Sequence, residues 1–281
     1  MLFAGCKRAG VAALDEMTVT KVEPLESGDH RVTVVDAEGQ ESTWLTKFLV
    51  DASGRDTFLS GKHGWKHRNP KHASAAVFSH FRGVRRRAGE RAGDISIYWF
   101  EHGWIWMIPL RDDITSIGAV CDPDHIKSRR GSLDEFLLET AHRLIGVRSR
   151  IRGAEQVRPA QATGNYSYLS SRMMGPGFLM IGDAFAFVDP IFSSGVHLAM
   201  SSAERGIGVA EAWLDGNERA YRRACRSYER ETQLGLDAFS WFIYRFRTPA
   251  MNFLFSNPRN ALRMVEGVVS MLAGDVFSNR A

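Results

Sequence analysis

The sequence predicts an α/β fold with an antiparallel sheet, followed by a mostly helical C-terminal part. Three observations carry this. Runs at 73–83, 94–101, 103–110 and 114–121 read as strands, and their connections are too short for crossover helices. Two apolar runs, Phe48-Leu49-Val50 and Phe178-Leu179-Met180-Ile181, end in small residues, as buried strands do where an α/β fold receives a ligand. From about residue 195 the pattern turns helical, with Pro249 and Pro258 marking breaks.

Taken in order, residues 2–14 read as the end of a helix, with Gly10 near its stop. Residues 17–25 and 30–37 alternate as strands. The turn Ala37-Glu38-Gly39-Gln40 suits a hairpin into a strand over 42–50. That strand runs into Asp51-Ala52-Ser53-Gly54-Arg55. After the four antiparallel strands, residues 132–146 read as an amphipathic helix with Ser132 as N-cap and Glu135 completing a capping box. A strand is expected around 155–168 and a short buried one over 177–181. Helices are expected near 195–213, over 217–247 and over 258–273. The implied organisation is 1–72 and 169–214 as one ligand-binding domain, 73–168 as a sheet domain and 215–281 as a helical region.

A chain of 281 residues with 44% hydrophobic and 24% charged residues can bury a sizeable core, which argues against disorder. The net charge is +4. The clusters Arg85-Arg86-Arg87 and Arg129-Arg130 are short and loop-like, and no zinc-finger spacing or basic stripe accompanies them, so no nucleic-acid partner is expected. An acidic protein partner stays open. Cys6, Cys121 and Cys225 give neither a disulfide framework nor a metal motif, which suits a reducing, cytoplasmic setting. Met1 to Cys6 lacks the basic and apolar regions of a leader. Arg245, Arg247 and Pro249 interrupt the aromatic stretch 239–255, so no membrane span is expected.

The strongest chemical signal is the string Gly182-Asp183-Ala184-Phe185-Ala186-Phe187-Val188-Asp189-Pro190-Ile191-Phe192-Ser193-Ser194-Gly195. Gly182 permits close approach of a ligand at a strand end. Asp183 can accept hydrogen bonds from sugar-like hydroxyls. Pro190 stiffens the loop, and Ser193, Ser194 and Gly195 open a helix whose free N–H groups favour negative charge. The plainer reading is a strand–loop–helix turn with Asp183 and Ser194 as caps. The whole string resembles the second flavin-contacting motif of the FAD-dependent monooxygenase superfamily.

A second segment, Trp104-Ile105-Trp106-Met107-Ile108-Pro109, places two tryptophans on one face of a strand. Taken alone it suits two core tryptophans. Together with the Asp183 string it resembles flavin-dependent halogenases, whose WxWxIP signature it matches completely. Asp51-Ala52-Ser53-Gly54-Arg55 resembles that family's segment near the FAD adenine and phosphates. The patterns Phe246-Arg247-Thr248-Pro249, Phe253-Leu254-Phe255 and Met271-Leu272-Ala273-Gly274-Asp275 resemble the phenol- and pyrrole-type members, with helix packing the expected job of those residues even within the family.

The resemblance implies an FAD-binding monooxygenase-like α/β fold, N-terminally truncated. It implies halogenation with reduced FAD from a separate flavin reductase, oxygen and a halide ion. Ser53, Gly54, Arg55, Gly182, Asp183, Pro190, Gly195 and Val196 would contact the cofactor. The N–H groups of Ser194 and Gly195 would hold the halide, and Trp104, Trp106 and Pro109 would separate flavin from substrate. Tryptophan halogenases carry Glu before the Ser/Thr–Gly pair. The corresponding place here holds Phe192, which implies a phenolic or pyrrolic ring, free or tethered to a carrier protein, rather than free tryptophan. The family's GxGxxG turn and active-site lysine have no counterpart, and none of Lys7, Lys21, Lys47, Lys62, Lys66, Lys71 or Lys127 is assigned that role. The expectation is weak FAD binding and no halogenation by the 281-residue chain itself. Two other readings stay open: a flavin monooxygenase or reductase of the same superfamily, and a non-catalytic remnant or binding protein.

Overall fold

The computed structural model describes residues 1–69, 74–164, 167–246, 248, 250, 251, 253 and 263–275. It divides into two compact units.

The first unit comprises Met1–Gly64, Arg172–Phe185 and Val196–Gln233. Helix α1 (Leu2–Arg8) is closed by the Ala9 N–H, which donates to the Gly5 and Cys6 carbonyls, and Gly10 follows with φ +84°. Strands β1 (Thr18–Pro24), β2 (His30–Val35) and β3 (Glu41–Thr46) form an antiparallel sheet with β2 in the middle, where Val32 and Val34 are buried. The expected hairpin turn is present: the Asp36 and Gln40 backbones pair across it, and Gly39 sits at φ +81°.

The single strand expected over 42–50 is instead two. At Lys47 and Phe48 the chain bends, with the Thr46 hydroxyl donating to the Phe48 carbonyl and the Trp213 indole N–H donating to the Lys47 carbonyl at 2.7 Å. The next three residues form β4 (Leu49–Asp51), which pairs in parallel with a distant strand, Phe178–Met180, and a short helix, α2 (Phe58–Lys62), follows.

The second unit comprises Trp65–Ser171, Ala186–Gly195 and Leu234–Ala281. Strand β5 (Lys66–Arg68) belongs to a small sheet. The main sheet is built on β6 (Ala75–Arg82), β7 (Ser96–Phe100), β8 (Gly103–Pro109) and β9 (Ile114–Cys121), antiparallel in the order β6-β9-β8-β7. Helices α3 (Pro123–Lys127), α4 (Leu133–Arg143) and α5 (Ile145–Ile151) follow. The Ser132 capping box forms as expected: its hydroxyl accepts from the Glu135 N–H, and the Glu135 carboxylate accepts from the Ser132 N–H. The expected helix stops short of 146, because Leu144 leaves helical backbone (ψ 110°) and α5 starts afresh. One sheet face packs on these helices, burying Val77, Phe81, Ile105, Met107, Ile117, Leu137 and Val147 in a common core.

The strand expected over 155–168 is broken into β10 (Glu155–Gln156), β11 (Gln161–Gly164) and β12 (Tyr168–Ser170). Pro159 has no N–H to continue the ladder. Both β10 and β11 pair with β6, while β12 joins β5.

Back in the first unit, β13 (Met174–Gly175) and β14 (Phe178–Met180) complete the three-stranded sheet that contains β4. Strand β15 (Ala186–Phe187), in the second unit, pairs with β12. Two long helices follow, α6 (Gly195–Leu214) and α7 (Glu218–Phe246). Gly206 of α6 lies against Leu179, leaving no room for a side chain. From the first-unit part of α7, the Tyr228 hydroxyl donates to the Met180 carbonyl at 3.1 Å and the Tyr221 hydroxyl to that of Gly175 at 2.8 Å. From its second-unit part come buried Leu236, Phe239, Phe242, Ile243 and Phe246, spaced three and four apart. The last described helix is α8 (Met264–Leu272). Of the expected 258–273 helix, Arg263 and Ala273 are its caps and 258–262 lie outside the described residues, as do Lys71, Arg247, Pro249, Leu254 and Phe255.

Candidate functional site

In the first unit, β4 and β14 end side by side in parallel and deliver two tight turns, Gly54–Asp56 and Gly182–Ala184, that pack together. The first turn is organised by Asp51. Its buried carboxylate accepts from the Ser53 N–H and the Leu59 N–H, both at 2.9 Å. The Ser53 hydroxyl accepts from the Phe58 N–H, and Gly54 adopts φ +64° with open space where a Cβ would stand.

In the second turn, Gly182 has φ +54°, and its N–H donates to the Ser202 hydroxyl at 2.9 Å. A Cβ there would lie 2.9 Å from the Ala199 Cβ, so α6 rests directly on the glycine. Asp183 is half-buried. Burial raises its carboxyl above the usual carboxylate range, and the positive charge of nearby Arg55 opposes that rise. The sequence-predicted residues Ser53, Gly54, Arg55, Gly182 and Asp183 therefore converge around two adjoining turns. Exposed Val196 begins the first-unit part of α6.

In the second unit, Trp104 and Trp106 project from β8 to the sheet face opposite Ile105 and Met107, with ring centroids 5.8 Å apart. Trp104 is buried and Trp106 half-buried. The Trp106 ring lies over Gly118 of β9, where a Cβ would stand 2.3 Å from the ring edge. Its N–H donates to the Ser116 hydroxyl at 3.1 Å, and Phe78 lies against it at 6.0 Å. Half-buried Pro109 ends the strand opposite Thr115.

The loop before α6 is stiffer than its sequence suggests. Buried Asp189 caps a short turn over Pro190–Phe192 by accepting the Ile191 N–H, and it also accepts from the Ser74 hydroxyl at 3.1 Å. Pro190 is exposed. Ser193 then takes a left-handed conformation, φ +54°, and turns the chain into the helix. Ser194 is buried, and the space beside Gly195 is open. The N–H groups of both find no acceptor among the described residues. Phe192 packs on Phe242 and Phe246, each at 4.8 Å, and Phe246 lies 4.7 Å from Trp99. For Phe246 the helix-packing reading holds.

Sequence reasoning missed the capping work of Asp51 and Asp189. Asp-Pro at the start of a turn was the available signal for Asp189. The aromatic partners of Phe192 also went unseen.

The family model of the tryptophan halogenases matches residues 2–251. The chain belongs to the tryptophan halogenase family. A relative in that family's functional range is a 1H-pyrrole-2-carbonyl-(peptidyl-carrier protein) chlorinase from Pseudomonas fluorescens. It is 29% identical over 283 residues, covering 96% of this chain and 61% of the chlorinase. Among solved structures, a flavoprotein/dehydrogenase from Cytophaga hutchinsonii has a TM-score of 0.89 at 25% identity, over 99% of this chain and 67% of that one. A flavin-dependent brominase has a TM-score of 0.86 at 26% identity, over 98% and 68%. The α/β halogenase fold expected from the motifs is thus the fold observed. The chain spans about three fifths of the length of the Pseudomonas chlorinase.

Proposed function

We propose that the chain is an FAD-dependent halogenase that installs chlorine or bromine on an electron-rich phenolic or pyrrolic ring. The observation that carries this reading is the pair Trp104 and Trp106, side by side on the sheet face opposite Ile105 and Met107, with the Trp106 ring seated over Gly118 and its N–H on the Ser116 hydroxyl. With Trp104 buried and Trp106 half-buried, the two rings would wall off the organic substrate from the flavin.

The residues present suit a flavin nucleotide. The turn at Gly182 brings backbone to the surface with little side-chain bulk, and Asp183 is a half-buried acceptor for ribityl hydroxyls beside the cation Arg55. Ser53, Gly54 and Arg55 offer backbone and guanidinium groups to phosphate. The α6 N-terminus offers N–H groups without acceptors. When bound, reduced FAD supplies, with oxygen, the oxidising power that converts halide to hypohalous acid.

The chain's own residues do the rest. The Ser194 and Gly195 N–H groups hold the halide. Asp183, Gly182, Pro190 and Val196 orient the flavin. Trp104, Trp106 and Pro109 keep an organic ring away from it. A separate reductase supplies reduced FAD. The Pseudomonas relative's carrier-bound pyrrole supports a ring tethered to a carrier protein. Phe192 supports exclusion of free tryptophan, because it fills its place with hydrocarbon packed on Phe242 and Phe246.

The test is turnover with reduced FAD and bromide, offered a phenol, a pyrrole-2-carboxyl thioester and free tryptophan. Halide-dependent product on the phenol or pyrrole supports the reading. Product on tryptophan alone, or hydroxylation without halide, overturns it. FAD titration by fluorescence quenching runs in parallel, and tight saturable binding would contradict the weak binding expected from the sequence.

A further inference from the structure

The positive charge of this chain is unevenly placed. Residues 65–171 hold seventeen Lys and Arg against eleven Asp and Glu, a net of +6, while the whole chain is +4. The excess gathers where two segments meet. Residues 80–89 and 142–154 together contain eight arginines and no carboxylate. Hydrogen bonds fasten them: the Arg85 N–H donates to the Arg150 carbonyl at 2.9 Å, and the Arg150 guanidinium donates to the Arg85 carbonyl at 2.8 Å. The Arg85 guanidinium reaches the Ser149 hydroxyl of α5 at 3.4 Å.

Arg150 is itself buried. Its other donors reach the Ser96 and Tyr98 hydroxyls at 2.8 and 3.3 Å, its Nη2 has no hydrogen-bond partner, and no carboxylate pairs with it among the described residues. Half-buried Arg86 likewise donates to carbonyls, those of Leu110 and Ile114, through Nη2, while its Nε has no hydrogen-bond partner among the described residues. Two guanidinium charges beneath the surface are therefore not neutralised locally. Positions 145, 148 and 149 share one face of α5, and Arg152 follows at its C-terminal cap. That face shows Ile145, 75% exposed, with exposed Arg148, beside exposed Arg152, Arg85 and Arg87. The nearest acids lie at the margin: Asp113 accepts the Gly83 N–H, and Glu155 pairs in register with Arg82.

We propose that this α5 face is a docking surface for an acidic protein, and that its occupant is the carrier protein bearing the ring to be halogenated. The inference rests on the carrier-tethered reading above. An exposed aliphatic anchor ringed by arginines over uncompensated charge matches an acidic helix with an apolar spot. It matches nucleic acid less well, because the Phe81 and Tyr98 rings beside these arginines are buried or half-buried rather than presented for stacking on bases.

The experiment measures binding, so it does not depend on turnover. The probe is a fluorescein-labelled acidic acyl carrier protein whose phosphopantetheine carries pyrrole-2-carboxylate, followed by anisotropy at low salt with the 281-residue chain. Three variants are compared: Arg85→Glu/Arg148→Glu, Ile145→Asp, and Arg219→Glu/Arg223→Glu, both exposed on α7, as a matched charge control. The expected result is saturable binding by the parent, weakened about tenfold or more in the first two variants and unchanged in the third. The α5 variants should unfold at the parent's temperature, since every altered side chain is exposed. Equal binding by parent and α5 variants would overturn the surface while leaving the carrier reading intact. No binding by the parent would overturn both. Weakening by Arg219→Glu/Arg223→Glu to the same degree, or tighter binding of a 20-nucleotide RNA than of the carrier, would also overturn the proposal.

Discussion

Replacing Gly182 by alanine tests whether the Asp183 turn is held in one conformation by α6. Two penalties follow from the structure. At φ +54° an L-residue pays about 1–2 kcal/mol in left-handed backbone. A Cβ 2.9 Å from the Ala199 Cβ and 3.2 Å from its Cα adds an overpacking term of about 1–3 kcal/mol, because the neighbour is a helix rather than a flexible side-chain end. The stiffer unfolded chain returns about 0.4–1 kcal/mol. The net loss is about 2–4 kcal/mol, equivalent to roughly 5–15 °C in the unfolding midpoint for a chain of this size. Gly195→Ala is the internal contrast. Gly195 stands at the start of α6 with open space beside it, and alanine favours helix, so its midpoint should stay within about 2 °C of the parent. Circular dichroism melts of the three proteins decide the matter. A Gly182→Ala midpoint within 2 °C of the parent would show that the turn is not pinned by α6. If the α6 N-terminus binds anions, Gly195→Ala should still weaken FAD and halide binding in fluorescence titrations.

Asp51→Ala removes two charge-assisted caps, on the Ser53 and Leu59 N–H groups, and should cost about 2–4 kcal/mol in denaturant unfolding, with Asp51→Asn intermediate. Asp183 has a carboxyl raised in the folded protein by burial, so the folded state binds more protons than the unfolded state above about pH 4, the ordinary Asp value. Its contribution to stability therefore falls as pH rises from about 4 through the raised folded value. Asp183→Asn should remove that slope and melt higher than the parent at pH 7, while losing affinity for FAD. Gly118→Ala places a Cβ 2.3 Å from the Trp106 ring and should displace the indole, changing the near-ultraviolet circular dichroism and costing about 1–3 kcal/mol.

What the sequence made legible was local or periodic. Ser132 and Glu135 announce a helix start within four residues. The alternation through 103–109 and 114–121 fixes which side chains share a face, so Trp104 and Trp106 were placed together correctly. The family motifs led to the fold and to the family itself. What the sequence hid depends on distant partners. Nothing near Lys47 says that the strand must break and that Leu49–Asp51 will pair with residues more than a hundred positions away. Asp51 reads as part of a turn, yet one of its oxygens serves an N–H eight residues on. Phe192 reads as a missing glutamate, and only the fold reveals that Phe242 and Phe246, spaced along α7, turn it into packing. The helix and strand breaks at Leu144 and Pro159 fell inside stretches whose hydrophobic pattern ran on without interruption.

The parallel pairing of Leu49 with Phe178 has a consequence for how the protein is made. The two residues are 129 positions apart, so β4 emerges from the ribosome long before its partner exists. At about 5–20 residues per second, the nascent chain waits roughly 6–26 seconds with that strand edge open. The antiparallel sheet β1-β2-β3 can close from neighbouring sequence at once, and the main sheet nearly so. The two turns that carry Gly54 and Asp183 cannot meet until β14 arrives, which delays this corner of the first unit until well over half of the chain has been made.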